Sequence, residues 1–121
     1  MTRAWLIVVV LAGLSACKPT INGPSWSGLG DAKAGKTVIA NAQCGACHEI
    51  PGIDGAGGRV GPPLTGFADR TVIAGVLPNA PDDLIRWLRF PQQVKPGDAM
   101  PDTGLDDQQA RNAAAYLYTL K

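Results

Sequence analysis

The chain has 121 residues, with eleven Lys and Arg against ten Asp and Glu, so it has room for one domain and carries almost no net charge. Once a leader holding Arg3 is removed the two signs balance, which excludes the basic footprint of a nucleic-acid binder. Fifteen glycines and ten prolines beside only 17% charged residues argue against disorder and for a compact, loop-rich fold. A core this small gains from a bound cofactor, because small folds bury a lesser share of their surface.

Residues 1–16 read as a signal peptide: Arg3, then an apolar run from Ala4 to Leu14 that is too short for the about 20 residues a membrane-spanning helix needs. Leu14-Ser15-Ala16-Cys17 resembles the lipobox of bacterial lipoproteins, which makes Cys17 the expected lipidation site; the alternative is an ordinary signal peptide with an incidental cysteine. Residues 17–30 then form a lipidated N-terminus and a flexible tether. Their Gly, Pro and Ser composition cannot bury a core and averages on the order of 20 Å end to end.

The folded domain is expected over 31–121. Asp31 is a plausible N-cap for a first helix running to Ala42 and into Cys44. A long Gly and Pro stretch from Pro51 to Gly66 suits a loop wrapped around a rigid object, and Thr71 to Leu77 reads as a short helix or turn. A clearer helix begins at Asn79, carries Asp82 and Asp83 in its first turn, places Leu84, Trp87 and Leu88 on one face, and stops at Pro91. The last helix opens on Asp106 and Gln109 as a capping box, with Leu105 and Ala110 as its staple, and runs to about Leu120. Ala113, Ala114 and Leu117 give it a slim apolar face. No long strand pattern appears, so the fold class is all-α.

Cys44-Gly45-Ala46-Cys47-His48 is the C-x-x-C-H of covalent haem attachment. On a helical turn the sulfurs at i and i+3 and the imidazole at i+4 face one side, so two thioethers fix the porphyrin edge while His48 reaches the iron. A thioredoxin-like pair would need a preceding strand and a parallel sheet. A structural zinc site needs four ligands, and one histidine with two free cysteines falls short.

His48 is the only histidine, so the sixth position falls to methionine, lysine, water or a gas. Met100 is the only methionine outside the leader. It sits in Lys95-Pro96-Gly97-Asp98-Ala99-Met100-Pro101, a stiff loop suited to presenting one side chain, and is taken as the second metal ligand rather than core filler.

Taken together, the helix with Gly35, then Cys44 to His48, Gly61-Pro62-Pro63-Leu64, the Trp87 helix, Met100-Pro101 and the terminal helix with Tyr116-Leu117 resemble the class I c-type cytochromes over about Gly30 to Leu120. The resemblance implies a cytochrome c fold, with three main helices and loops wrapped around one haem c. It implies that Pro62 offers its carbonyl to the non-ligating nitrogen of His48, that Leu64 and Trp87 pack in the haem pocket, and that Gly35 meets the terminal helix near Ala113 and Leu117. It departs in carrying Val38 and Ile39 where an aromatic residue is common, which predicts a reshaped helix contact. Trp87 replaces the tyrosine of mitochondrial relatives. Arg59, Arg70 and Arg86 are candidates to pair with propionates.

The expected function is single-electron transfer rather than enzymatic catalysis, between respiratory partners: a quinol-oxidising complex, a dehydrogenase or a terminal oxidase. The chain is expected to act as a monomer on the periplasmic side of a membrane, held by lipid at Cys17. Two alternatives stand beside it: an accessory haem subunit of a dehydrogenase or oxidase complex, and a gas-binding haem protein with an open sixth position.

Overall fold

The computed structural model describes residues 29–121; the segment read as a signal peptide, Cys17 and most of the expected tether lie outside the described residues. Four helices follow in order: α1 (Ala32–Asn41), α2 (Pro81–Arg89), α3 (Pro91–Val94) and α4 (Asp107–Leu117). The all-α reading stands, with three helices of two to three turns and a fourth of one turn.

Helix α1 starts where expected, because the Asp31 carboxylate accepts the Ala34 amide at 2.7 Å. It ends at Asn41 with Ala42 as its C-cap, and Gln43, with a left-handed φ of 57°, turns the chain into a 3-10 turn over Cys44–Ala46. Helix α4 opens on the expected capping box: Asp106 accepts the Gln109 amide at 2.7 Å, and Gln109 Oε1 accepts the Asp106 amide at 3.0 Å. It stops at Leu117, and a tighter turn carries the chain to Leu120.

Two expectations about the middle of the chain need correction. Asn79 does not begin α2; Ala80 is its N-cap and Pro81 its first residue. The Asn79 side chain instead donates to the carbonyls of Phe67, at 3.0 Å, and Arg70, at 2.9 Å. The Thr71–Leu77 segment is neither helix nor simple turn but a small antiparallel hairpin, pairing β1 (Val72–Ile73) with β2 (Leu77–Pro78). Its tip uses Ala74 at φ 53° and Gly75 at φ 72°, the left-handed pair that a two-strand ribbon with right-handed twist requires. Pro91 ends α2 as expected, yet it also opens α3, since proline is preorganised for a first helical position.

The core lies where α4 packs against both α1 and α2. The predicted apolar faces are the buried ones: Leu84, Trp87 and Leu88 with Ile85 from α2, Ala113, Ala114 and Leu117 from α4, and Ile39 from α1. The contact of α1 with α4 is made without an aromatic side chain from α1, whose buried residues are Gly35 and Ile39. Gly35 is buried against the α4 backbone at Asn112 and Ala113, and a methyl group on it would overlap the Asn112 carbonyl. Asn112 Oδ1 also accepts the Asp31 amide at 2.9 Å, so the start of α1 is stitched to the middle of α4. At the far end of α4, the Tyr118 hydroxyl donates to Asn79 Oδ1 at 2.9 Å, and its ring packs on Phe67 with centroids 5.9 Å apart.

Gly35→Ala is expected to cost about 2–3 kcal/mol, because the helices must part to admit the methyl, and to lower the Tm by roughly 10–20 °C in a thermal melt. The Tyr118 phenol is pushed up from its ordinary 10.0 to about 12, first by burial and then by the negative charge of Asp83. A proton held more tightly in the folded state gives stability that is complete below pH 10 and drains as pH rises toward 12. Denaturant unfolding across that window is expected to show the loss, and Tyr118→Phe to flatten it while lowering stability at neutral pH by about 1 kcal/mol, since Asn79 Oδ1 loses its donor.

Candidate functional site

The C-x-x-C-H segment begins in the 3-10 turn that Gln43 sets up. The amides of Cys47, at 3.2 Å, and His48, at 3.0 Å, converge on the Cys44 carbonyl, so the three side chains leave one tight turn. Cys44 and Cys47 are both free thiols and partly buried. Burial, more than any neighbouring charge, pushes the Cys44 thiol above its ordinary range.

A loop from Ile50 to Leu64 is laced along this turn by main-chain hydrogen bonds. The Gly58 amide donates to the Gly45 carbonyl at 3.0 Å, Gly61 to Cys47 at 2.8 Å, and Leu64 to Glu49 at 2.8 Å. Gly61 lies against the imidazole so closely that a Cβ there would stand 2.7 Å from His48 Nδ1 and 2.8 Å from Nε2. Only glycine leaves room for the ring.

His48 Nδ1 lies 2.7 Å from the Pro62 carbonyl oxygen. A carbonyl can only accept, so the ring proton sits on Nδ1 and Nε2 keeps a lone pair. The arrangement that the resemblance implied for Pro62 is therefore present. Pro62 itself is exposed and held by its neighbours, since the Arg70 guanidinium donates to the carbonyls of Pro63 and, at 3.4 Å, Thr65. Arg70 also lies over the Phe67 ring, 5.5 Å from its centroid. Of the three candidate arginines, Arg70 is thus engaged with the loop, while Arg59 and Arg86 are exposed.

Leu64 and Trp87 are buried in the hydrophobic core, and Met100 is partly buried and packs against it. The loop carrying Met100 is tied to α3. Gln92 Nε2 donates to the carbonyls of Asp98, at 2.8 Å, and Met100, at 2.7 Å, and Gln92 Oε1 accepts the Gly97 amide at 3.1 Å. Asp98 accepts the Met100 amide at 3.1 Å and pairs with Lys95 at 2.9 Å. The Lys95 ammonium, then the Met100 amide, hold the Asp98 carboxyl below its usual range.

Gln92 was missed by sequence reasoning, and Arg70 and Asn79, though singled out, were given other roles than the carbonyls they meet. An exposed-looking polar residue carries no signal of which carbonyl it will meet across a turn. For Gln92 the available signal was its place right after Pro91, at the start of a helix too short for periodicity to reveal.

The donors present fit a c-type haem. Two unpaired thiols flank one turn, one imidazole has its distal nitrogen free for a metal, and one thioether is held in a stiff loop. The rival chemistries fare worse. Among the described residues no three or more His, Cys, Asp or Glu cluster to hold a metal ion. The cysteine pair follows a helix, and the only sheet among the described residues is the antiparallel hairpin. No helix among them is long and apolar enough to cross a membrane.

Comparison with known proteins agrees with this geometry. The chain is 39% identical over 93 residues to cytochrome c oxidase subunit 2 of Alkalihalophilus pseudofirmus, covering 74% of this chain and 26% of that protein. It is 36% identical over 111 residues to the subunit 2 of Bacillus sp. strain PS3, covering 88% of this chain and 29% of the relative. The Bacillus subtilis subunit 2 is 32% identical over 94 residues, covering 74% and 26%. The chain therefore spans only a little over a quarter of the length of these curated relatives. The sequence profile described as Cytochrome c matches residues 32–121, from the start of α1 to the last residue, and the chain belongs to the cytochrome c family.

Proposed function

We propose that the chain is a single-electron carrier whose one haem c, the cofactor that family membership implies, is bound covalently through Cys44 and Cys47 with His48 and Met100 as axial ligands. The observation that carries this reading is the His48 imidazole, locked by the Pro62 carbonyl with its remaining nitrogen free beside two unpaired thiols. When bound, the haem supplies an iron that takes up and gives back one electron.

The work of the polypeptide is to hold one geometry in both redox states. Pro62 fixes the imidazole plane and raises the basicity of Nε2 through the hydrogen bond on Nδ1. Met100 offers a soft thioether, which favours the reduced metal, from a loop that Gln92 and Asp98 keep closed. Leu64 and Trp87 exclude water and keep the surroundings apolar, which disfavours the added charge of the oxidised metal. No second histidine exists to serve as a distal acid and base, which argues against peroxidase chemistry.

The redox partner we favour is a terminal oxidase, because the relatives are named oxidase subunits. The same observation supports a second reading, in which the chain works as an accessory haem subunit of such a complex. Export to the periplasmic side, with lipid on Cys17 as the anchor, rests on the leader and the lipobox-like motif. Lysines are sparse and Lys95 is spent on Asp98, so no dense positive ring steers the encounter.

Optical spectra of the oxidised and reduced protein test the ligation. The oxidised protein is expected to show the weak far-red band of methionine on ferric iron, the reduced protein to refuse carbon monoxide, and the midpoint potential to be positive against the hydrogen electrode. Met100→Ala is expected to abolish the band, admit carbon monoxide rapidly and lower the midpoint on the order of 100 mV. Rapid carbon monoxide uptake by the unaltered protein would favour a gas-binding role instead. Electron-transfer rates to an oxidase are expected to change less than about tenfold on raising salt from low to moderate ionic strength; a steeper fall would restore a charge-steered encounter.

A further inference from the structure

The Met100 loop leaves several main-chain polar groups facing inward across a turn, and one side chain meets three of them. The Gln92 carboxamide donates twice, to the Asp98 and Met100 carbonyls, and accepts once, from the Gly97 amide. Its orientation is dictated by those partners: flipped, its oxygen would face two carbonyl oxygens and its NH2 an N–H. Gln92 is itself anchored. Its amide donates to Asp102 Oδ1 at 3.1 Å, and it follows Pro91, one of the largest fully buried side chains. The loop is thus fastened on both flanks of Met100, at 97–100 through the carboxamide and at Asp102 through the α3 backbone.

No other residue type of similar size does this. Glutamate keeps the acceptor for Gly97 but sets a carboxylate against two carbonyls. Lysine and arginine bring donors and no acceptor, and asparagine is one methylene shorter.

We propose that Gln92 is the positioning residue that keeps Met100 on the iron, and so decides whether the sixth position stays closed for electron transfer or opens to exogenous ligands. This rests on the reading above that Met100 is an axial ligand. The Met100 main chain is held at its carbonyl by Gln92 and at its amide by Asp98, so releasing the carbonyl frees the residue to swing out. An external ligand binds only when the loop is open, and its apparent affinity falls by the factor by which the closed state is favoured.

Imidazole titration of the oxidised holoprotein, followed by loss of the far-red band, reads that factor. Gln92→Ala and Gln92→Glu are each expected to tighten imidazole binding about 10- to 100-fold, the loss of two or more hydrogen bonds to a loop closed by few others. Gln93→Ala, the exposed neighbour on the same helix, is expected to leave the affinity unchanged. The Glu variant nearly preserves side-chain volume, so its effect separates hydrogen bonding from packing. Imidazole affinities within about twofold of wild type in both Gln92 variants would overturn the proposal while leaving Met100 ligation intact. A wild-type protein that lacks the far-red band would overturn both together.

A measurement on the unaltered protein needs no variant to fold. Hydrogen exchange of the Gly97 amide is expected to be slow and to accelerate at least tenfold when imidazole saturates the iron. Equal exchange with and without imidazole would show that the carboxamide stays in place when Met100 leaves, and would overturn the proposal.

Discussion

The hydrogen bond between His48 Nδ1 and the Pro62 carbonyl is the contact on which the other parts of the site depend. It can be made only if an exposed proline, with no side-chain donor and no amide proton, is held in place by its surroundings. The structure supplies that hold as a closed circuit. α1 runs into the turn that bears Cys44, Cys47 and His48; His48 meets Pro62; and Arg70 grips the carbonyls of Pro63 and Thr65. The Arg70 and Phe67 carbonyls accept from Asn79, which accepts in turn from Tyr118 at the end of α4. α4 returns to α1 at Asn112 and Gly35. Each link is a single hydrogen bond or close contact, worth on the order of 1 kcal/mol. Closure links them, because loosening one leaves part-buried polar groups such as the Asn79 carboxamide with fewer partners.

The two sides of the site are built by different means. On the histidine side the loop is laced to the turn by main-chain amides, two of them from Gly58 and Gly61, which lie too close to the turn to carry a side chain. On the methionine side the loop is held largely by side chains, the Gln92 carboxamide and the carboxylates of Asp98 and Asp102. Regions held by few, replaceable bonds open first. With haem bound as proposed, His48 would be the firmly held ligand and Met100 the one whose hold the sequence can adjust.

Much of this was legible in the sequence, and the reasons differ from residue to residue. The thiols and His48 announce themselves because their chemistry fixes their spacing. The capping box at Asp106 and Gln109 and the cap at Asp31 are local, so three or four residues suffice to read them. Asn79 was misread as a helix start because asparagine suits both a cap and a turn; the carbonyls of Phe67 and Arg70, brought near by the fold, decided the matter. The hairpin at Val72–Pro78 was hidden by its brevity, since two residues per strand carry no alternation. Gln92 was invisible for the same reason in a different form. Its partners lie five to eight positions on, across a one-turn helix and a proline, a geometry with no periodic signature.

The choice of an amide on the methionine side also has an electrostatic logic. Oxidation of the metal adds a positive charge at the site, and every nearby ion responds to it, raising the energy needed to reorganise. An ion pair such as Lys95–Asp98, at the loop surface, is screened by solvent and adds little to closure. A carboxamide carries no net charge and makes three bonds at once, so its hold on the loop would depend little on the charge of a bound metal. Closure that does not depend on the charge of the metal is what a carrier needs, because a loop that favoured one state would pull the potential and slow the exchange.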